Sequence, residues 1–152
     1  PFLFGYAKPV PVAWHRLGNP RRDMVWVAAA GPAMNLALAA ASAILFGMLV
    51  GSSTPVDFAT GEGFVVAAPL AIMAQRSLVL NVVLAVFNLL PIPPLDGGRV
   101  AVGLLPDSLA RPLARMEPFG FMVVFGLLIS GVLGSFLGPV VGAVIAVLSV
   151  LI

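Results

Sequence analysis

The feature that most constrains this chain is a proline-rich stretch, residues 88–99, at the end of a long apolar run. Its prolines at positions 91, 93 and 94 cannot continue a regular helix, and they are followed by Asp96 and two glycines. Ionisable groups at membrane depth are costly and usually face a protein interior. Irregular backbone at that depth is tolerated where it is buried in protein or lines a cavity. A carboxylate delivered by a broken helix therefore predicts a functional site at Asp96.

The composition indicates a membrane protein. Of the 152 residues, 61% are hydrophobic and only 9% are charged, whereas soluble domains typically have about 25% charged residues. Crossing a hydrocarbon core takes about 20 apolar residues, which predicts spans at approximately 25–50, 71–90 and 119–137. We expect residues 1–152 to form one all-α, polytopic transmembrane helical bundle with a Pro-broken helix at the active site. The remaining apolar residues, 139–152, are short for a full crossing.

The few basic residues predict topology rather than nucleic-acid binding. Arg and Lys residues precede the first span and follow the second, and the turn Gly51–Gly63 between them has none. Under the positive-inside rule, the N-terminal segment and the loop 97–118 are cytoplasmic. Asp96 would then lie toward the cytoplasmic side of an integral membrane protein. The chain has no cysteine, which excludes thiolate metal sites and cysteine nucleophiles.

Each candidate site residue has a functional and a structural interpretation. Asp96 could be a metal ligand or a proton-handling carboxylate, or simply a loop aspartate at a helix start. Asn88 could stabilise an oxyanion or make an interhelical hydrogen bond, and Asn35 has the same two readings. Asn81 falls on much the same helix face as Asn88 and suggests a polar seam. His15, the only histidine, lies in a basic loop where an interfacial role is favoured over catalysis.

Taken together, these motifs resemble the site-2 protease family of intramembrane zinc metalloproteases, peptidase family M50. The resemblance rests on Asn88-x-x-Pro91-x-Pro93-x-Leu95-Asp96-Gly97 and on Gly31-Pro-x-x-Asn35. It implies that Asp96 is a ligand of a catalytic Zn²⁺, that Asn88 lies beside it in the site and that Asn35 lies near the substrate cleft. The implied substrate is a transmembrane segment of another membrane protein within the lipid bilayer, in what is expected to be a prokaryotic cell membrane.

The chain departs from the family pattern in one respect. The family's other two zinc ligands and its general base belong to a His-Glu-x-x-His helix, and this sequence has no such motif. We expect the chain to be an incomplete piece of a longer protease, inactive by itself. The alternatives are a non-catalytic membrane scaffold and a cation or proton transporter, since a broken helix with a carboxylate also suits an ion path. A further hypothesis is that the extended segment around Pro9 and Pro11 presents a strand edge to an unwound substrate.

Overall fold

The computed structural model describes residues 19–51 and 64–151. The predictions for His15, for the Pro9–Pro11 strand edge and for nearly all of the Gly51–Gly63 turn lie outside the described residues. The described residues form helices and no strand, which confirms the all-α fold class. The helices are α1 (Pro20–Gly51), α2 (Phe64–Asn88), α3 (Asp96–Leu104), α4 (Asp107–Arg115), α5 (Glu117–Ile129) and α6 (Val132–Leu148), and a 3-10 turn (Ser149–Leu151) follows.

Three stretches of helix are long and apolar enough to cross a membrane: Arg21–Gly51, Ala68–Asn88 and Val132–Leu151. A fourth candidate is the bent pair formed by α4 and α5, whose axes differ by 72°. Large apolar side chains are exposed along these helices, among them Met48, Met73 and Phe121. Lipid tails are as apolar as leucine, so this exposed surface suits a bilayer, and the chain is an integral membrane protein.

The sequence placed the first two spans close to the observed helices. The predicted segment 25–50 lies within α1, and the predicted segment 71–90 overlaps α2, which ends two residues earlier at Asn88. The stretch 99–118, whose composition predicts a polar loop or surface helix, forms most of α3 and all of α4. Both long helices follow from apolar runs, uncharged over 25–50 in α1 and with Arg76 as the one charge in α2, because a continuous apolar segment in lipid must satisfy its backbone hydrogen bonds internally.

The third predicted span does not match the helix boundaries. The segment 119–137 was expected to be one helix, yet α5 ends at Ile129 and α6 begins at Val132. Gly131 adopts a φ of +75°, in the left-handed region that glycine enters without a Cβ clash. Pro139, where the predicted span 119–137 gives way to the final apolar segment, lies inside α6. The final apolar residues therefore belong to a helix of spanning length.

The core lies where α1, α2 and α6 meet. Its buried members are small on α1 (Ala39 and Ala43) and larger on α2 (Leu78, Val82 and Val86). Five partly buried apolar residues of α6 pack against this cluster: Leu137, Val141, Val144, Ile145 and Leu148. Alanines on one helix let the backbone of its neighbour approach closely, the usual way of packing helices in a membrane.

Candidate active site at the end of the broken helix

The proline-rich stretch forms a compact turn between α2 and α3. The Ile92 N–H donates to the Leu90 carbonyl at 2.8 Å, and the Leu95 N–H donates to the Ile92 carbonyl at 2.9 Å. Leu95 is extended, with φ −68° and ψ 158°, and Asp96 is the first residue of α3. A carboxylate in the first turn of a helix is stabilised by the helix dipole. The local sequence therefore fixes where the Asp96 side chain leaves the backbone.

Glycines allow neighbouring helices to approach this turn closely. A Cβ on Gly97 would overlap the backbone of Leu89 and Leu90, and a Cβ on Gly98 would overlap Ile92 and Pro93. On the other side of the turn, α5 brings Gly120 against the Pro93 carbonyl. These neighbours are main-chain atoms, which cannot rotate away as a side chain can. The turn that carries Asp96 is thus held between the starts of α3 and α5.

The Asp96 carboxylate lies against α1. Its Oδ2 is 2.8 Å from the position that a Cβ would take on Gly31. Asp96 is half-buried, and within the described residues its side chain forms no hydrogen bond or ion pair. The apolar part of α1 begins at Met24, seven residues before Gly31, which corresponds to about 10 Å along a helix. The carboxylate therefore sits beside the apolar part of the bundle rather than at its polar end.

The register of α1 and α2 places Asn88 near the same level. Ser42 Oγ donates to Ser77 Oγ at 2.9 Å, which fixes one level of the two helices. The end of α2 then reaches the turn beside Asp96 and Gly31, so α2 runs antiparallel to α1. Gly31 is eleven residues before Ser42 and Asn88 is eleven residues after Ser77. Counting along both helices therefore brings Gly31, Asn88 and Asp96 to one level of the bundle.

Asn35 lies one helical turn beyond Gly31 and is half-buried. Helical residues four positions apart share a face, so Asn35 lies on the face of α1 that carries the Asp96 contact. Asn81 has a different environment: its amide donates to the Ser77 carbonyl at 2.9 Å and to Ser77 Oγ at 3.2 Å. Together with Ser42, it forms a hydrogen-bonded contact between α1 and α2. At Asn81, the polar seam that the sequence predicted therefore serves the packing of α1 against α2.

Among the described residues, Asp96 is the candidate metal ligand that the sequence predicted. Asp96 offers an acceptor oxygen that no described donor occupies, as a metal ligand must. Across residues 19–51 and 64–151, however, no three His, Asp, Glu or Cys side chains lie close enough to hold a metal. A zinc site usually has three protein ligands when it is catalytic. The described residues could therefore provide one ligand of such a site, Asp96, and they do not provide the other two.

Comparison with known proteins shows the family to which the chain belongs. The model of peptidase family M50 matches residues 53–131, a region that contains α2, the proline turn, Asp96 and α5. This chain belongs to peptidase family M50. Over 144 residues, the M50 chain is 37% identical to a Bacillus subtilis (strain 168) protein named "Putative zinc metalloprotease YwhC". That alignment covers 92% of the chain and 61% of the relative.

A second M50 relative matches over a shorter region. A Clostridium perfringens (strain 13 / Type A) protein named "Putative zinc metalloprotease CPE1693" is 36% identical over 66 residues, 40% of the chain and 20% of the relative. The chain thus spans about three fifths or less of the length of these two relatives. No solved structure matches the chain.

The positions of two residues of the candidate site became clear only from the structure. In the sequence, Gly31 stands out only as part of the Gly31-Pro-x-x-Asn35 motif, and the structure shows that the Asp96 carboxylate packs against it. Gly120 gave no signal in the sequence, because one glycine in an apolar run does not indicate its partner. Its packing against Pro93 is a contact between residues far apart in the chain.

Proposed function

We propose that the complete protein containing this chain is an intramembrane zinc metalloendopeptidase of the site-2 type. Its substrates would be transmembrane segments of other membrane proteins, cleaved in regulated intramembrane proteolysis. The observation that carries the proposal is the half-buried Asp96 carboxylate against Gly31, beside the apolar part of an M50 bundle. Carboxylates within transmembrane segments are rare and mark sites of function.

In this proposal Asp96 is one protein ligand of zinc, and the remaining ligands come from outside the described residues. Zinc, when bound, polarises a carbonyl group and activates water. The chain's own contribution is to hold the carboxylate in place: the short turn fixes its backbone, and Gly97 and Gly120 let α3 and α5 pack against that turn. A ligand held by packed neighbours keeps the geometry that a metal requires.

Asn88 and Asn35 would handle the substrate backbone. An amide near the ligand can donate a hydrogen bond to a carbonyl oxygen where negative charge develops during peptide cleavage, the role we assign to Asn88. Asn35, one turn further along α1, would bind the extended substrate in the cleft. With the positive-inside rule, the Arg21 end of α1 and the α3–α4 region face the cytoplasm, and Asp96 lies on that side.

The zinc content of the full-length protein tests this proposal. We expect one zinc per chain by elemental analysis after purification in detergent, and loss of zinc and of cleavage of a single-span reporter in Asp96→Ala. Glu117→Gln is a matched control, because Glu117 is half-exposed and pairs with Arg99 at 3.5 Å. Zinc retained by Asp96→Ala would contradict the assignment. Ion flux without zinc would favour a transporter. A protein with no zinc, no cleavage and no ion flux would favour a scaffold.

A further inference from the structure

Helix α4 separates polar and apolar side chains sharply around its axis. Four of its polar or charged residues and one proline line a shallow groove of about 440 Å³: Asp107, Ser108, Arg111, Pro112 and Arg115. Leu109 and Leu113 lie on the other side, and Leu109 remains 56% exposed. Arg111 and Arg115 are four residues apart, so their side chains are neighbours on one face. This separation of polar and apolar faces is typical of helices that lie in the membrane interface.

The orientation of α4 supports this placement. Its axis is bent by 72° from that of α5 at Met116. Apart from Glu117, α5 is apolar or small throughout, and Phe119 and Met122 on it are more than 60% exposed. If α5 enters the bilayer, a helix at 72° to it runs close to the membrane plane. The groove on α4 would then lie at the depth of the lipid headgroups.

The carboxylates near the groove have ion-pair partners, whereas the arginines of the groove have none among the described residues. The two nearby carboxylates are already paired: Asp107 with Arg21 at 2.6 Å and Glu117 with Arg99 at 3.5 Å. Arg111 and Arg115 are exposed, and neither forms an ion pair with any described residue. The groove is therefore positively charged, with two guanidinium groups available to a phosphate.

We propose that Arg111 and Arg115 bind the phosphate of an anionic phospholipid. Guanidinium groups suit phosphate because their planar donors form paired hydrogen bonds. The acyl chains would lie along the exposed apolar side chains at the start of α5. This apolar surface beside the arginines is the reason for assigning a lipid rather than a soluble phosphate. The site does not depend on zinc or on proteolysis.

A local fluorescence measurement tests the lipid site. Because the chain has no cysteine, Ala114→Cys places a single fluorophore on an exposed position of α4. The labelled full chain is reconstituted in phosphatidylcholine bilayers that contain a small fraction of spin-labelled phosphatidylglycerol or spin-labelled phosphatidylcholine. We expect spin-labelled phosphatidylglycerol to quench the fluorophore at a lower mole fraction than spin-labelled phosphatidylcholine does. In R111Q/R115Q, half-quenching should require at least about fivefold more phosphatidylglycerol, since each arginine near an anionic surface contributes a factor of about five.

Matched variants separate this site from general attraction to basic residues. R111K/R115K keeps both charges but loses the paired donors of the guanidinium groups, so it should keep only part of the preference. Arg76→Gln removes an exposed arginine from the middle of α2, twelve residues before that helix ends at Asn88, and should change nothing. Three outcomes would overturn the proposal. They are equal quenching by the two lipids, an unchanged preference for phosphatidylglycerol in R111Q/R115Q, and a loss of that preference in Arg76→Gln as large as in R111Q/R115Q. Relief of quenching by millimolar inorganic phosphate at constant ionic strength would also overturn it, in favour of a soluble anion.

Discussion

The Oδ2 atom of Asp96 occupies the space that a side chain on Gly31 would need, 2.8 Å from the missing Cβ. This contact joins the two motifs by which the sequence resembles peptidase family M50. It also explains why position 31 is a glycine, because a Cβ at that position would displace the carboxylate.

Gly31→Ala should therefore impair the site while leaving the helix intact. Alanine is the better helix former, so the secondary structure should persist, but its Cβ forces the Asp96 carboxylate to move. Displacing a supporting contact of a metal ligand typically costs about 10–100-fold in metal affinity or activity. Zinc titration and reporter cleavage by the full-length protein would measure the loss.

Gly126→Ala is the control for this substitution. It makes the same change within α5, where a Cβ would meet nothing within 4 Å. Equal zinc affinity in Gly31→Ala and Gly126→Ala would show that the contact with Gly31 does not position Asp96.

Gly120→Ala should destabilise the fold rather than act on the metal directly. A Cβ at this position would overlap the Pro93 carbonyl and Pro94, so α5 must move away from the turn. Overpacking of this kind costs about 1–3 kcal/mol. Thermal unfolding in detergent measures the change, and Gly134→Ala, which has open space, should be neutral or slightly stabilising. Equal unfolding temperatures for the two variants would refute the close packing.

The hydrogen bond between Ser42 and Ser77 should contribute modestly to the pairing of α1 and α2. Interhelical hydrogen bonds in membrane proteins average about 0.6 kcal/mol in double-mutant cycles. Ser42→Ala, Ser77→Ala and the double variant, unfolded in mixed micelles, give this coupling energy. Ser77 also accepts from Asn81, so Ser77→Ala should cost more than Ser42→Ala. A coupling of zero would mean that Ser42 and Ser77 do not interact in the folded protein.

The sequence predicted those parts of the fold that depend on local pattern. The long apolar runs identified α1 and α2, and the three prolines identified the break that precedes Asp96. The turn at Gly131 was missed because it lies inside an uncharged run, where hydropathy gives no boundary. The only local signal there is the Ser-Gly dipeptide, which is common in turns.

The candidate site was predictable as a set of residues but not as an arrangement. Asp96, Asn88 and Asn35 stand out because polar groups are rare in apolar segments. Their relative positions depend on the register of α1 and α2 and on close contacts at Gly31 and Gly120. Such contacts join distant parts of the chain, and a single sequence does not specify which small residues meet.

Arg21 should matter more for stability than its ion-pair partner Asp107. Both side chains are largely exposed, at 45% and 68%, and exposed ion pairs contribute about 0–1 kcal/mol. Arg21 also donates to the carbonyl oxygens of Leu105 and Val102 at the end of α3. Arg21→Ala therefore detaches the start of α1 from α3, whereas Asp107→Ala removes only the screened pair.

The two contributions differ in their response to salt. In thermal unfolding, raising NaCl from 0.1 to about 1 M should reduce the effect of Asp107→Ala, because the Debye length falls from about 10 to 3 Å. Most of the effect of Arg21→Ala should remain, since its bonds to backbone carbonyls do not depend on a second charge. Arg22→Ala is the control, as the neighbouring exposed arginine forms no ion pair with a described residue. If Arg21→Ala and Asp107→Ala were equally destabilising and equally sensitive to salt, the carbonyl contacts would contribute nothing.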